Sequence, residues 1–132
     1  MEHTAILIDT SIVIDFIRKK EKDKTWFWVL MSDYECFISV ISIFELYNGA
    51  TDNSKKESID KIIKWLKVIP LDFACSVKAS DIYLFLKKAN RLIEFRDIFI
   101  AATSIISRIP IATLNSKHFE HIPEIKLIPG SL

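Results

Sequence analysis

"TAILIDTSIVIDF", Thr4 to Phe16, changes its period in the middle. "TAILID" is a short apolar run rich in Ile, which suits a strand buried on both faces. "TSIVIDFIRKK" then switches to helical spacing, with Thr10 or Ser11 as the expected cap. A strand followed at once by a helix is the opening unit of an α/β chain.

Outward from that unit the pattern recurs. "CFISV" reads as a second strand, and "ISIFELYNGA" as a helix closed by Gly49. "KKESIDKIIKWLK" places Ile59, Ile62, Ile63 and Leu66 on one face and charge on the other, an amphipathic surface helix. "VIPLDF" reads as a short strand or an extended connection. "ACSVKASDIYLFLKKANRL" and "DIFIAATSIISR" are two further helices. "IPIAT" is a strand, a turn of helix follows around Lys117 to Glu120, and "IKLIP" is the last strand. Strands separated by helices predict an α/β fold, a three-layer α/β/α sandwich around a central parallel sheet.

At 132 residues, half of them apolar, the chain is the size of one ordinary domain and buries a core without staples, so residues 1–132 read as a single domain. A net charge of +1 excludes a strongly basic nucleic-acid binder and confines any RNA or DNA contact to a local patch. Cys36 and Cys75 are far apart and form no CxxC pair, so they read as small buried residues in a reducing compartment. The N-terminus has acids where a signal peptide needs a basic start, and no apolar run reaches the roughly 18 residues of a membrane span. The expectation is a cytoplasmic protein without a membrane partner.

Ligands of an open parallel sheet bind beyond the carboxyl ends of its strands. Asp9 ends the first strand there, followed by the hydroxyls of Thr10 and Ser11; cap and ligand are both open readings for it. Glu45 is the only formal charge in its helical segment, and by spacing it shares a face with Ile41, Asn48 and Gly49. Asp97 opens a segment that otherwise runs apolar and small, where an unpaired buried carboxylate would cost several kcal/mol. It is a cap or a ligand. Thr113 and Asn115 add oxygen donors where "IATLNSKHF" leaves the sheet. Three carboxylates from three segments hold too much negative charge to persist without a cation. Oxygen ligation suits Mg²⁺ or Mn²⁺, and the lack of clustered His and Cys argues against zinc. Such a site generates a hydroxide and stabilises charge on a phosphodiester, so hydrolysis of nucleic acid is the natural chemistry.

These segments resemble the PIN-domain ribonucleases, and within them the VapC-type toxins of toxin–antitoxin pairs. "LIDTSIVIDF" is similar to the family's opening motif, with a hydroxyl residue after the Asp and a second acid at Asp15. "SVISIFELYNGA" is similar to the second motif, "DIFIAATSI" to the third, and "IATLNSKHFEHIPEIKLI" to the C-terminal pattern. The resemblance implies a metal-dependent endoribonuclease with Asp9, Glu45 and Asp97 both catalytic and metal-binding, supported by Thr10, Ser11, Thr113 and Asn115. It also implies a cognate antitoxin and a homodimer. Many members carry a fourth acid where this chain has Asn115; an amide brings no charge, so a second ion should be held more weakly.

For RNA contact, Lys87, Lys88, Arg91 and Arg96 lead into Asp97, while Lys117 and His118 follow Asn115; Arg91, Arg96 and Lys117 are the chosen candidates. "TWFWVL", Thr25 to Leu30, carries aromatics that cannot all face one side of a helix, so one should lie near the surface and suit a partner. Two rival readings are a receiver-type phosphoryl-transfer domain and a PIN-fold binding module that has lost catalysis. The first needs acids on strand ends where Glu45 and Asp97 lie in helical patterns; the second rests on Asn115.

Overall fold

The computed structural model describes residues 4–128. Five parallel strands form one sheet in the order β3-β2-β1-β4-β5, with β1 spanning Thr4–Ile8, β2 Tyr34–Ser39, β3 Lys67–Ile69, β4 Ile111–Ala112 and β5 Leu127–Ile128. Register is fixed by pairs such as Ile6 with Cys36 and Ile8 with Ala112. Six helices connect the strands: α1 (Thr10–Arg18), α2 (Trp26–Asp33), α3 (Val40–Asn48), α4 (Asn53–Ile63), α5 (Phe73–Lys88) and α6 (Phe95–Ser107). Single 3₁₀ turns cover Lys22–Lys24 and Ser116–His118.

Strand side chains alternate between faces, and the apolar run of β1 therefore feeds two cores. Ile6 and Ile8 pack with Phe16, Phe27, Leu30, Leu46 and Ile59 beneath α1 to α4. Leu7 points the other way, into Ile82, Leu86, Ile98 and Phe119 beneath α5 and α6. Cys36 and Ile38 of β2 join the first core, while Phe37 packs against the second. This is the three-layer sandwich that the sequence predicts.

Helix starts follow their side chains. Asp52 and Asp72 cap α4 and α5 by accepting from the N–H groups of Lys55 and Cys75, each at 2.9 Å. The bond from Cys75 holds the Asp72 carboxyl below its ordinary range. At the end of α1 the Lys22 ammonium donates to the carbonyls of Phe16 and Ile17, at 2.6 and 2.8 Å, where unpaired helical C=O groups need a donor.

Some local expectations are corrected. Thr10 and Ser11 are the first two residues of α1 and do not cap it; Asp9 occupies the cap position, and its side chain makes no cap bond. Glu94 holds the cap position of α6, and Asp97 lies in the first turn of the helix rather than capping it. Gly49 does close α3, but in an ordinary right-handed conformation with open space for a Cβ, so glycine's freedom is not used there. Leu66 is buried as expected yet lies beyond the end of α4. The final proline of the "IKLIP" strand falls outside the described residues. Cys36 and Cys75 are free and buried, and burial pushes the Cys36 thiol up to about 12, which leaves it unreactive. Among the described residues no helix is long and apolar enough to cross a membrane.

Candidate active site

The strand order reverses at β1, whose neighbours are β2 on one side and β4 on the other. In an open α/β sheet the connections from such a switch point leave in opposite directions and open a crevice at the carboxyl ends of the strands. A cleft of about 460 Å³ lies there, lined by Asp9, Thr10, Ser11, Glu45, Asp97 and Asn115 together with Ile14, Asp15, Arg18, Glu94, Arg96, Leu114 and His118.

Asp9 is almost fully buried. Its N–H donates to the carbonyl of Ala112 at 2.9 Å, extending the β1–β4 pairing by one residue. Its Oδ2 accepts from Ser11 Oγ at 2.8 Å and from Thr113 Oγ1 at 2.7 Å. The same hydroxyls accept in return from the loop, Ser11 from the Leu114 N–H at 3.1 Å and Thr113 from the Asn115 N–H at 2.9 Å. Each hydroxyl has one proton, and giving it to a buried carboxylate leaves its lone pairs for the backbone. The Asp9 carboxylate makes no cap bond to the backbone of α1 and is held by the hydroxyls of Ser11 and Thr113.

Glu45 reaches the cleft from α3. Thr10 Oγ1 donates to Glu45 Oε1 at 2.9 Å and lies 2.8 Å from Ser42 Oγ, one helical turn before Glu45. Glu45 Oε2 faces Arg96 Nε at 3.8 Å. Arg96 also lies 4.0 Å from Glu94 and makes no pair with the adjacent Asp97, as expected for neighbours along a helix.

Asp97 sits in the first turn of α6 with 16% of its side chain exposed, and its Oδ2 is 3.1 Å from His118 Nδ1. Burial, then the negative charges of Asp9 and Glu45, push its carboxyl up to about 6 against the pull of His118. Negative charge is therefore crowded here. Among the described residues no three His, Cys, Asp or Glu side chains form a ready-made metal cage. Each carboxylate is turned to a protein partner, Asp9 to Ser11 and Thr113, Glu45 to Thr10 and Asp97 to His118.

Asn115 lines the cleft, whereas Thr113 lies buried beneath Asp9. Of the three cations chosen from sequence, only Arg96 lines it; Arg91 is exposed and pairs with His121, 2.7 Å from its Nε2, and Lys117 faces outward on the 3₁₀ turn. Ser42 and Arg18 were not foreseen. For Arg18 the signal was present: Ser11, Ile14, Asp15 and Arg18 follow i, i+3, i+4, i+7 spacing along α1 and line one side of the cleft. In "TWFWVL" the buried Thr25 caps α2, Trp26 and Phe27 enter the core, and Trp28 stands half-exposed. Trp28 and Trp65 border an apolar hollow of about 240 Å³ with Phe16, Phe27 and Met31.

Known proteins share this frame. The PIN domain family model matches residues 6–125. Ribonuclease VapC1 of Methanocaldococcus jannaschii is 31% identical over 126 residues, covering 96% of this chain and 87% of that protein. Ribonuclease VapC of Rickettsia bellii is 31% identical over 131 residues, 93% of this chain and 94% of that one. Among solved structures, VapBC2 from Rickettsia felis, bound to a DNA fragment from its promoter, superposes with a TM-score of 0.86 at 20% identity over 97% of this chain and all of that one. DNA-bound VapBC from Salmonella typhimurium gives 0.83 at 24% identity over 95% and 97%. With the family model spanning nearly all of the described strands and helices, and the relatives aligned along almost their whole length, the chain belongs to the PIN-domain family, in its VapC branch.

Proposed function

We propose that the protein is a Mg²⁺- or Mn²⁺-dependent endoribonuclease, the toxin of a toxin–antitoxin pair, and that RNA is cut in the cleft between β1 and β4. The observation that carries this reading is the convergence of Asp9, Glu45 and Asp97 from three elements on one cleft, where burial and then the other two charges push the Asp97 carboxyl up to about 6. The donor set is all oxygen and over-supplied with negative charge, which fits a hard divalent cation and not zinc. Asp9, Glu45 and Asp97 are the residues that would hold it. When bound, the ion supplies a hydroxide at neutral pH and offsets the charge developing on the phosphodiester.

The chain's own groups do the positioning. Ser11 and Thr113 fix the Asp9 carboxylate, Thr10 fixes Glu45, and His118 holds Asp97. Arg96 and Arg18 stand at the rim, where a nearly neutral protein needs local cations to hold phosphates beside acids. The Trp28–Trp65 hollow is the surface assigned to the cognate antitoxin, because two half-exposed indoles beside an apolar floor match the composition of partner sites. The exposed apolar side chains of α5, Phe73, Val77 and Leu84, suit a second copy of the chain in a homodimer. The setting proposed for this activity is the cytoplasm.

The test is cleavage of a mixed RNA pool with and without Mg²⁺, using the wild type and Glu45→Gln. Cleavage that needs the ion and disappears in the variant supports the reading. Binding without cleavage under every ion condition would leave only a PIN-fold binding module.

A further inference from the structure

Beside the acid cleft lies a second hollow, of about 450 Å³, lined by Leu92, Ile93, Glu94, Phe95, Asp97 and His118. Glu94, Asp97 and His118 line both, so the two spaces adjoin. Phe95 opens α6 yet is 65% exposed, and Leu92 before it is half-exposed. A phenyl ring left in water gives up most of the 1.5–3 kcal/mol or so that its burial would contribute, so folding does not explain it.

The exposed ring is backed by an ordered series. Tyr83 of α5 lies 5.7 Å from Phe95, centroid to centroid, with the planes 35° apart, and the Lys87 ammonium lies 5.9 Å from the Tyr83 ring. A cation, an aromatic and a second aromatic thus lead up to Asp97. Single-stranded RNA is recognised in this manner, with unstacked bases placed on aromatic rings and cations beside the backbone. An apolar protein surface fits less well, because two of the six lining residues are carboxylates and charged residues are depleted from the centres of protein interfaces. A base tolerates them, since its edge can donate to a carboxylate.

We propose that this hollow seats the nucleobase adjoining the phosphodiester that is cut, with Phe95 as its stacking platform. The proposal rests on the ribonuclease reading and adds a specificity-determining residue to it. A consequence is that a nucleotide lacking its base at that position binds less well than an intact one.

The experiment uses short single-stranded RNAs carrying 2-aminopurine, or an abasic nucleotide, at successive positions. They are bound in Ca²⁺ to the wild type, Phe95→Ala and Phe95→Trp. The expected result is quenching of 2-aminopurine at one position with the wild type and with Phe95→Trp. Phe95→Ala loses that quenching and binds about five- to 150-fold more weakly, the equivalent of one stacked base. Its exposed position means that Phe95→Ala folds, and Phe95→Trp controls for ring chemistry. Wild-type quenching and affinity in Phe95→Ala would overturn the proposal. So would conversion of a dimer to a monomer in light scattering with RNA binding per chain unchanged, which would give the face to a second copy. A wild type that cuts the RNA pool but quenches no position defeats the base site alone. A wild type that neither binds nor cuts defeats the ribonuclease reading and this proposal with it.

Discussion

On the β1 side of the cleft, Asp9 is almost fully buried and is fixed by two hydroxyls whose remaining capacity is filled by the loop after β4. On the α6 side, Asp97 is less enclosed and is met by one imidazole that is itself 52% exposed. The same chemical group is thus placed by two means, a closed network on one side and a contact that water can replace on the other. Where every buried polar group has a partner, position is decided by folding. On the open side, burial and the charges of Asp9 and Glu45 outweigh the pull of that one imidazole, and the Asp97 carboxyl is pushed up to about 6.

The sharpest way to break this contrast is Asp97→Asn. Removing a carboxylate that a cation would need should lower cleavage by at least ~100-fold, from the several kcal/mol a bound ion contributes to charge stabilisation. The metal-free fold should keep its stability or gain some. The sign follows from the raised value: the folded carboxyl titrates near 6 against an ordinary 3.8, so ionisation disfavours the fold. That cost is absent well below pH 4, grows through pH 6 and is complete above it. The gain in melting temperature should therefore be larger at pH 8 than at pH 5. Wild-type cleavage by this variant would remove Asp97 from the site.

Thr113→Val probes the closed side. Deleting a 2.7 Å donor to a buried carboxylate, and with it the acceptor for the Asn115 N–H, should cost about 1.5–3 kcal/mol in urea denaturation. His118→Ala, on the open side, should cost less than ~0.5 kcal/mol, as exposed pairs do. Equal losses would erase the distinction between the two sides.

Asn115→Asp adds a charge at the mouth of the cleft. Mn²⁺ affinity, read by calorimetry, should rise roughly three- to ten-fold, and less Mg²⁺ should be needed for half-maximal cleavage. Unchanged affinity would mean that Asn115 only lines the space.

The smallest expected effect separates two arginines that look equivalent in sequence. Arg96→Ala should reduce the salt slope of RNA binding by about 0.7, one single-strand phosphate contact, whereas Arg91→Ala should leave it unaltered because Arg91 faces His121. The reverse ranking would place the RNA on the other side of the 3₁₀ turn.

The frame was legible because β1 is buried on both faces and shows it as a continuous apolar run, and because Asp9, Glu45 and Asp97 are charges in segments whose sequence is otherwise largely apolar. The loss of resolution elsewhere has physical causes. In α2, Trp26, Phe27 and Leu30 are buried but Trp28 is not, and an apolar run with no polar face gives no period from which to read a helix. Of the two roles open to the hydroxyls of Thr10 and Ser11, cap or hydrogen bond to an acid, only the second is taken, because the two residues lie one and two positions inside α1 and their protons go to Glu45 and Asp9. Arg91 and Arg96 diverge because the turn between α5 and α6, with Asn90 in a left-handed conformation, aims the chain in a direction that spacing alone does not encode.

The bond between Asp9 and Thr113 joins residues 104 positions apart. Chains emerge from the ribosome N-terminus first at about 5–20 residues per second, so roughly 5 to 20 seconds separate the synthesis of one partner from that of the other. Throughout that interval Asp9 exists without the strand that orients it, and the nascent chain carries its carboxylates unassembled. The sheet order therefore acts as a clock: the cleft closes only after the chain has been made through Thr113.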